Sequence, residues 1–361
     1  MKTTLKMGLL PPLCLMERVL RDGEPLADEY PLVFHAEGPG GVVSLDRENA
    51  VVSACSVLGR ELVGPHGRLS VGLIGSVSTA PEFRGQGAAT HILRQAEAEH
   101  RRQGHVLSML WADTPSFYYA RGYRPVGRER VFRVTPEVAP RLPEAPGIRA
   151  AAAGDAAAIH ALYEAQPVRV DRTPVETASL LRCPGMEVRV LEREGQIVAY
   201  ACRGRGRDLQ NTVHEWTGSL EDVLALLRVH REETGADQPL CLSGPASRWD
   251  LRERLEALGL ESRVGPLAAA KLLGRAAAAR LLQEQLGPES SVRVEPTALG
   301  APPRVELVGP HGRGELTDDV LLALLFGTEE VQPEIEALGQ SFGLDLSRLP
   351  LDLYVWGLDS I

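Results

Sequence analysis

The chain has 361 residues, a formal net charge of −9, 44% hydrophobic residues and 24% charged residues. That length exceeds one ordinary core, so two or three domains are expected, and the balance is that of a soluble globular protein. The acidic charge excludes nucleic acid as a main partner, since such binding rests on phosphate neutralisation, and it suits a small cationic substrate.

The start, MKTTLKMGLLPPLCLMERVL, imitates a signal peptide, with Lys2 and Lys6 before a short apolar run. Pro11 and Pro12 interrupt that run, no small-x-small site follows, and Glu17 and Arg18 come at once, so a signal peptide is not expected. No apolar run is long enough to span a bilayer, so no membrane partner is expected. The cysteines, Cys14, Cys55, Cys183, Cys202 and Cys241, are odd in number, far apart and form no Cys-x-x-Cys. This argues against a disulfide framework and a zinc site, and a cytoplasmic setting follows most simply.

GGVVSLDRENAVVSACSVLGREL reads as strand, turn, strand; GPHGR is a turn, and LSVGLIGSVST a further strand. The stretch APEFRGQGAAT leads into a helix, AATHILRQAEAEHRRQG, with Ala88, Ala89, Ile92, Leu93 and Ala96 on one face and Gly104 as the stop. HVLSMLW is a buried strand, PSFYYARG a short helix between Pro115 and Gly122, and RERVFRV a strand that closes a first domain at residues 1–135. Strand, glycine turn, helix, strand is a βαβ unit with a parallel pair.

VTPEVAPRLPEAPGIR, with four prolines, reads as a linker at 136–147 that forbids helix and ladder alike. Over 148–273 the same order of elements recurs, with a helix at AAAGDAAAIHALYEAQ, a hairpin about Glu194-Gly195, a strand NTVHEW, a helix opened by Ser219, and a final strand at GPLAAAKLL. This is read as a divergent duplicate. Residues 274–361 form a third, α/β piece ending in LPLDLYVWGLDSI. ELVGPHGR occurs twice, at 61–68 and 306–313, and suits a hairpin turn each time.

Three phosphate-binding loops could use RGQGAAT. A P-loop needs Lys-Ser or Lys-Thr after the second glycine, and Ala88-Ala89 stand there. A dinucleotide fingerprint needs a third glycine where Thr90 stands, and Glu97 and Glu99 come too early for its acidic residue. The third pattern fits: Arg84, Gly87 and Ala89 form Arg-x-x-Gly-x-Ala between a strand and a helix. Gly85 and Gly87 let a pyrophosphate approach the main chain, and the amides of Gly85, Gln86, Gly87, Ala88 and Ala89 are donors at a helix N-terminus. Arg84 adds a full charge, and Thr90 completes the candidate loop. The apparently richer ACRGRGRDLQ (Arg203, Gly204, Arg205, Gly206, Arg207) leads into a strand, so it reads as a hairpin turn. After VHEW come only TGSLED, whose Glu221 and Asp222 would repel phosphate.

On GSVSTAPEFRGQGAA and FYYARGY, in that order, the chain resembles the GCN5-related N-acetyltransferases (GNAT). In layout it resembles the tandem acetyltransferases of the enhanced intracellular survival type. The resemblance implies an α/β fold with α+β mixed sheets: tandem GNAT domains, the second degenerate, and a small C-terminal α/β domain that is sterol-carrier-like. It implies acetyl-CoA as co-substrate and no metal. The main chain of Val77, Ser78 and Thr79 would pair with the pantetheine arm, with one amide polarising the thioester. Asp113 and Thr114 would line the coenzyme channel.

The resemblance places the general acid on Tyr118, with Tyr119 an alternative about 100° around the helix. Phe117 and Tyr123 read as core. It also places the terminal carboxylate of Ile361 at the active site as base; a terminal strand packed for stability alone is the other reading. Asp28, Glu29, His35 and Glu37 are further candidates for the base, otherwise solvated loop residues. His91, His100 and His105 lack metal-ligand spacing.

The expected function is acetyl-CoA-dependent N-acetyl transfer to a primary amine of a small, cationic substrate. The alternatives are a coenzyme A-binding sensor or scaffold without turnover, or a pure interaction module. A homo-oligomer is left open.

Overall fold

The structure, a computed structural model, describes residues 8–65, 67–287, 290–297 and 302–361. Lys2 and Lys6 of the basic start, and His66 of the first Gly-Pro-His-Gly turn, lie outside the described residues. In chain order, α1 (Leu10–Leu20) and α2 (Pro31–Phe34) precede β1 (Gly41–Arg47), β2 (Ala50–Gly64) and β3 (Gly67–Thr79). Next come α3 (Ala88–Arg102), β4 (Leu107–Leu110), α4 (Pro115–Tyr119), β5 (Arg124–Val126), β6 (Glu129–Arg133), β7 (Ile148–Ala150), α5 (Ala156–Glu164) and β8 (Arg169–Val170). They are followed by α6 (Pro174–Leu180), β9 (Glu187–Arg193), β10 (Gln196–Arg203), β11 (Thr212–Thr217), α7 (Leu220–Glu233), β12 (Cys241–Pro245), α8 (Trp249–Ala257), β13 (Ser262–Gly265) and β14 (Ala268–Leu272). The last elements are α9 (Arg275–Gln285), β15 (Ser291–Glu295), β16 (Arg304–Gly309), β17 (Gly312–Glu315), α10 (Asp318–Phe326) and α11 (Gln332–Phe342).

The chain divides into two compact units, and neither is one continuous stretch. The first holds Val43–Arg128, Pro266–Leu353 and Ile361; the second holds Met1–Val42, Glu129–Gly265 and Tyr354–Ser360.

In the first unit the strand order is β1-β2-β3-β4-β14-β5. The long β2–β3 hairpin turns at Gly67, whose φ of +89° is the left-handed backbone that glycine adopts without strain. α3 crosses over to β4, which runs parallel to β3. Ile92, Leu93 and Ala96 bury one face of α3 on the sheet. Its last turn carries Arg101 and Arg102, favourable to the helix dipole. β14 lies antiparallel between β4 and β5, with Ala268, Ala269 and Ala270 buried. The sequence had assigned GPLAAAKLL to the following domain; its place here corrects that. A three-stranded sheet β15-β16-β17 with α9, α10 and α11 completes this unit.

In the second unit a seven-stranded sheet has the order β13-β6-β12-β11-β10-β9-β7. It repeats the layout of the first sheet: α7 joins the parallel strands β11 and β12, and a further strand, β6, lies between β12 and β13. RERVFRV is thus a strand, but of this sheet and not of the first. Consecutive strands usually neighbour each other, which is why a reading along the chain assigns both exchanged strands to the wrong sheet.

The proline-rich segment also differs from expectation. Pro136–Arg141 forms a 3-10 helix that buries Val138 and Ala139, because proline at the first position of a helix has no bond to lose. For the same reason Pro11 and Pro12 open α1 instead of breaking it. The aromatic tail is not a strand. Tyr354 and Trp356 stack edge to face, with ring centroids 5.0 Å apart, and Gly357–Asp359 is a 3-10 turn. A fully buried cluster holds it: Arg172 Nε donates to Asp359 Oδ1 at 2.7 Å, Arg172 also pairs with Glu215, and Tyr163 Oη donates to Asp359 at 2.7 Å.

Candidate active site

The first unit has a sheet that opens partway along. β3 pairs with β4 from Val71–Leu107 to Ile74–Leu110, where the parallel ladder ends. β3 runs on to Thr79, paired only with β2. At this point the β2–β3 register slips: Ala54 pairs with Ser78, and Ser56 with Gly75, so Ser76 and Val77 stand opposite Cys55 alone. Ser76 has φ +47°, the left-handed strain of a bulge. The bulge turns the main chain of β3 just where its second edge becomes free.

Of the three residues expected to meet the pantetheine arm, Ser78 and Thr79 are partly engaged. Ser53 Oγ donates to the Ser78 carbonyl at 3.0 Å and bonds Thr79 Oγ1 at 2.8 Å. Arg84 Nε donates to the Thr79 carbonyl at 3.3 Å. Arg84 is therefore anchored to the strand end, with its guanidinium exposed beside the loop. Val77 carries no such side-chain bond among the described residues.

The loop itself has two left-handed glycines, Gly85 at φ +74° and Gly87 at φ +80°, and nothing stands within 4 Å of where either side chain would project. Gly87 is the N-cap of α3, which has no side-chain cap and no acidic residue in its first turn. The amide of His91, donating to the Gly87 carbonyl at 3.0 Å, marks where the helical ladder begins. The amides from Gly85 to Thr90 thus precede or open the helix, Ala88 lies buried beneath them, and Ala89 is half-buried. Gln86 is held by its own Nε2 on the Glu82 carbonyl at 3.0 Å and by Arg47 on its Oε1 at 3.2 Å. An open, uncapped helix start with unhindered glycines is a fit for pyrophosphate.

A second cation stands here that sequence reasoning missed. Arg121 Nε and Nη2 donate to Thr90 Oγ1 at 3.0 and 2.9 Å, and its guanidinium lies over the Phe117 ring at 3.6 Å. It ties α4 to the start of α3. Its signal was its spacing, three residues after Tyr118 in the turn that follows α4.

Tyr118 is half-buried. Its ring meets Phe117 and Tyr123 edge to face, at 5.0 and 6.0 Å, and packs on a cluster that includes Cys55, Ile74 and Leu110. Burial raises its pKa above the usual 10, with the Cys55 thiol and Asp113 adding to the rise and Arg121 opposing it. Burial pushes Cys55 up to about 12, which keeps that thiol protonated and inert. Phe117 and Tyr119 pack on the same cluster, and Tyr123 is part of the core, as expected. Asp113 and Thr114 are exposed in the turn between β4 and α4.

On the other face of β3 lies Ile361. A side chain built on Gly75 would overlap the Ile361 main-chain carbon and oxygen, so the main chain of Ile361 stands where a Gly75 Cβ would be. Ile74 and Gly75 are adjacent on the strand and point to opposite faces. Tyr118 packs on the Ile74 face and Ile361 on the Gly75 face.

Residues 32–126 match the family described as acetyltransferase (GNAT) domain. That stretch is similar to a GNAT domain. No curated protein matches the chain in sequence. Among solved structures, it is similar to a conserved protein of unknown function from Enterococcus faecalis V583, described as a probable N-acyltransferase (18% identity, TM-score 0.64, over 85% of this chain and 83% of that one). It is similar to a GCN5-related N-acetyltransferase from Anabaena variabilis ATCC 29413 (15% identity, TM-score 0.63, 87% and 84%). A third is Eis1 from Mycobacterium abscessus (16% identity, TM-score 0.55, 84% and 81%). The fold over most of the chain is therefore that of these solved structures, a mixed α/β architecture with more than one mixed sheet, and the GNAT match over residues 32–126 supports acyl transfer as its chemistry.

Among the described residues the second unit offers no comparable loop. Its RGRGR stretch joins β10 to β11 without a helix, and each arginine has a protein partner: Arg203 pairs with Glu187, Arg205 with the carbonyls of Gly357 (2.6 Å) and Ser360 (2.8 Å), and Arg207 with Asp22 (3.2 Å). α7 is capped by the Ser219 side chain, and Asp222 in its first turn pairs with Arg193. The four other candidate bases, also in this unit, are engaged or exposed. Glu29 is buried on Arg21 at 2.8 Å, Asp28 bonds His35 at 2.9 Å, and Glu37 is exposed.

In the first unit His100 Nδ1 bonds Ser108 (3.1 Å) and His105 Nδ1 bonds Ser70 (2.8 Å), and among the described residues His91, His100 and His105 fall in no group of three converging ligand atoms. Among the described residues one group, Glu187, His230 and Glu233, has ligand atoms within 4.8 Å of one another. Arg203 and Arg189 already neutralise its two carboxylates. Among the described residues, no helix is long and apolar enough to cross a membrane.

Proposed function

We propose that the chain transfers the acetyl group of acetyl-CoA to a primary amine of a small, cationic acceptor, by direct attack in a ternary complex. The observation that carries this is the uncapped start of α3 behind two open left-handed glycines, at the end of a bulged strand whose second edge is free. Acetyl-CoA supplies the activated acetyl thioester. The amides of Gly85 to Thr90, with Arg84, hold its pyrophosphate, each charge at such a helix end contributing about 0.3–1 kcal/mol. The free edge of β3 at Val77, Ser78 and Thr79 receives the pantetheine arm, and an amide at the bulge polarises the thioester carbonyl. Asp113 and Thr114 border the coenzyme channel.

The Ile361 carboxylate takes a proton from the acceptor ammonium, which frees the nitrogen lone pair. The nitrogen bonds to the acyl carbon, and the carbon–sulfur bond breaks. Tyr118 gives its proton to the departing sulfur and recovers one from the acylated nitrogen. The net change is amine plus acetyl-CoA to N-acetyl amine plus the free thiol. The opposed faces occupied by Tyr118 and Ile361 suit an acid at the leaving group and a base at the nucleophile. The acidic net charge favours a cationic acceptor.

The test is release of free coenzyme A from acetyl-CoA over a panel of aminoglycosides, polyamines, amino acids and peptides. Amine-dependent release supports the proposal. Tight coenzyme A binding with no release on any amine would instead make the chain a coenzyme A sensor.

A further inference from the structure

We propose that Ser56 determines acceptor specificity, by accepting a hydrogen bond from the amine head and selecting primary amines. This rests on the acetyl-transfer reading above. Ser56 lies on β2, directly across from Gly75 in the register. It is 1% exposed, and its Oγ has no partner among the described residues. Buried hydroxyls are nearly always bonded, so a lone one beside a candidate site calls for a function.

Its position supplies that function. A Gly75 Cβ would stand 2.9 Å from Ser56 Oγ, and the same point is overlapped by the main-chain carbon and oxygen of Ile361. Hydroxyl and terminal carboxyl group therefore converge on one spot, on the face of β3 away from α3. The register slip that begins beside Ser56 explains why no neighbouring strand group reaches the hydroxyl.

A carboxylate and an unbonded hydroxyl oxygen make a pair of acceptors. A primary ammonium has enough N–H groups to serve both: it gives one proton to the carboxylate and keeps an N–H on Ser56 Oγ. The lone pair that is freed is then aimed by two fixed contacts. An N-methylated ammonium has only two N–H groups: one goes to the carboxylate and the other must pass to Tyr118 once the acyl bond forms, so the buried hydroxyl is left unmet as the amide is made, which is the kind of loss that discriminates strongly.

The experiment uses the full chain, the primary amine turned over fastest in the panel, and the N-methyl analogue of that amine. kcat and KM are measured for wild type, Ser56→Ala and Ser56→Cys, with coenzyme A affinity and the melting temperature of each. Ser56→Cys keeps the volume and carries the test where Ser56→Ala does not fold. The expected result is a rise of about tenfold in KM for the primary amine, the loss of one hydrogen bond to a charged group. The preference over the N-methyl analogue collapses, and coenzyme A affinity is unchanged. A folded variant with unaltered KM and unaltered preference overturns the role of Ser56 and leaves acetyl transfer standing. A wild type that acetylates no amine overturns both.

Discussion

Ile361 lies against Gly75 at the residue where β3 parts from β4, with its main-chain carbon and oxygen in the space a side chain on Gly75 would take. Glycine is needed there because any Cβ collides with the main chain of the terminal residue. Gly75→Ala is expected to displace the carboxylate and lower kcat about a hundredfold, the lower range for a lost general base, with coenzyme A affinity retained. Extending the chain by two residues beyond Ile361 should do the same. Steady-state kinetics with calorimetric coenzyme A titration separates the two effects, and full activity of the extended chain ends the carboxylate's role.

Tyr118 is raised above its ordinary pKa by burial, so it keeps its proton throughout the neutral range. An acid raised in this way keeps its proton, and so its function, further up the pH scale than an exposed phenol does. Tyr118→Phe is expected to reduce kcat by about a hundredfold or more without weakening coenzyme A binding. Tyr119→Phe should have little effect. The reverse pattern would move the acid one residue along α4.

At the loop, Gly87→Val forces a branched residue into φ +80° and fills open space over the helix start. Coenzyme A affinity should fall at least about tenfold. Gly104 is the control, since it has φ +82°, equally open surroundings and a place just past the far end of α3. Gly104→Val should cost stability alone, measured by thermal melting beside the titration.

The loop was readable in the sequence because its chemistry is local. Where the helix starts, which residues lack a Cβ and which follow the second glycine are all set within Arg84 to Thr90, and the structure places each there. Fold class was readable from strand and helix periodicity. What could not be read depends on distant pairing. Nothing in GPLAAAKLL or RERVFRV says which sheet it joins, since both are short, buried strands of suitable composition. Arg121 and Ser56 gain their interest from Thr90 and Gly75, partners 31 and 19 residues away that only the fold brings near. The linker was misread because prolines were treated as breakers, whereas Pro136 opens a 3-10 helix.

Arg172 is fully buried between Glu215 and Asp359, and Tyr200 Oη adds a bond to Glu215 at 2.9 Å. Removing the cation leaves two buried carboxylates without it. Arg172→Leu should lower stability by about 3–5 kcal/mol in urea denaturation. A change below about 1 kcal/mol would show that the cluster relaxes freely.

Acid should unfold the protein through its histidines. Burial lowers the pKa of His100 from 6.5 to about 4, of His214 to about 4 and of His230 to about 3. The folded pKa lies below the unfolded one, so the unfolded chain binds more protons between these values. The stabilisation is complete above about 6.5 and is lost as pH falls towards 4. His100 alone accounts for about 3 kcal/mol over that window, at roughly 1.4 kcal/mol per unit. Urea midpoints at pH 7 and pH 5 should differ sharply, and equal midpoints would contradict these shifts.

Acetyl transfer itself is tested most directly by mass spectrometry of the acceptor. The protein is incubated with isotopically labelled acetyl-CoA and the amine panel. The expected result is an amine that gains one labelled acetyl group on nitrogen, with an equal amount of free coenzyme A released, and loss of both in Tyr118→Phe. Coenzyme A that binds tightly while every amine keeps its mass would contradict it.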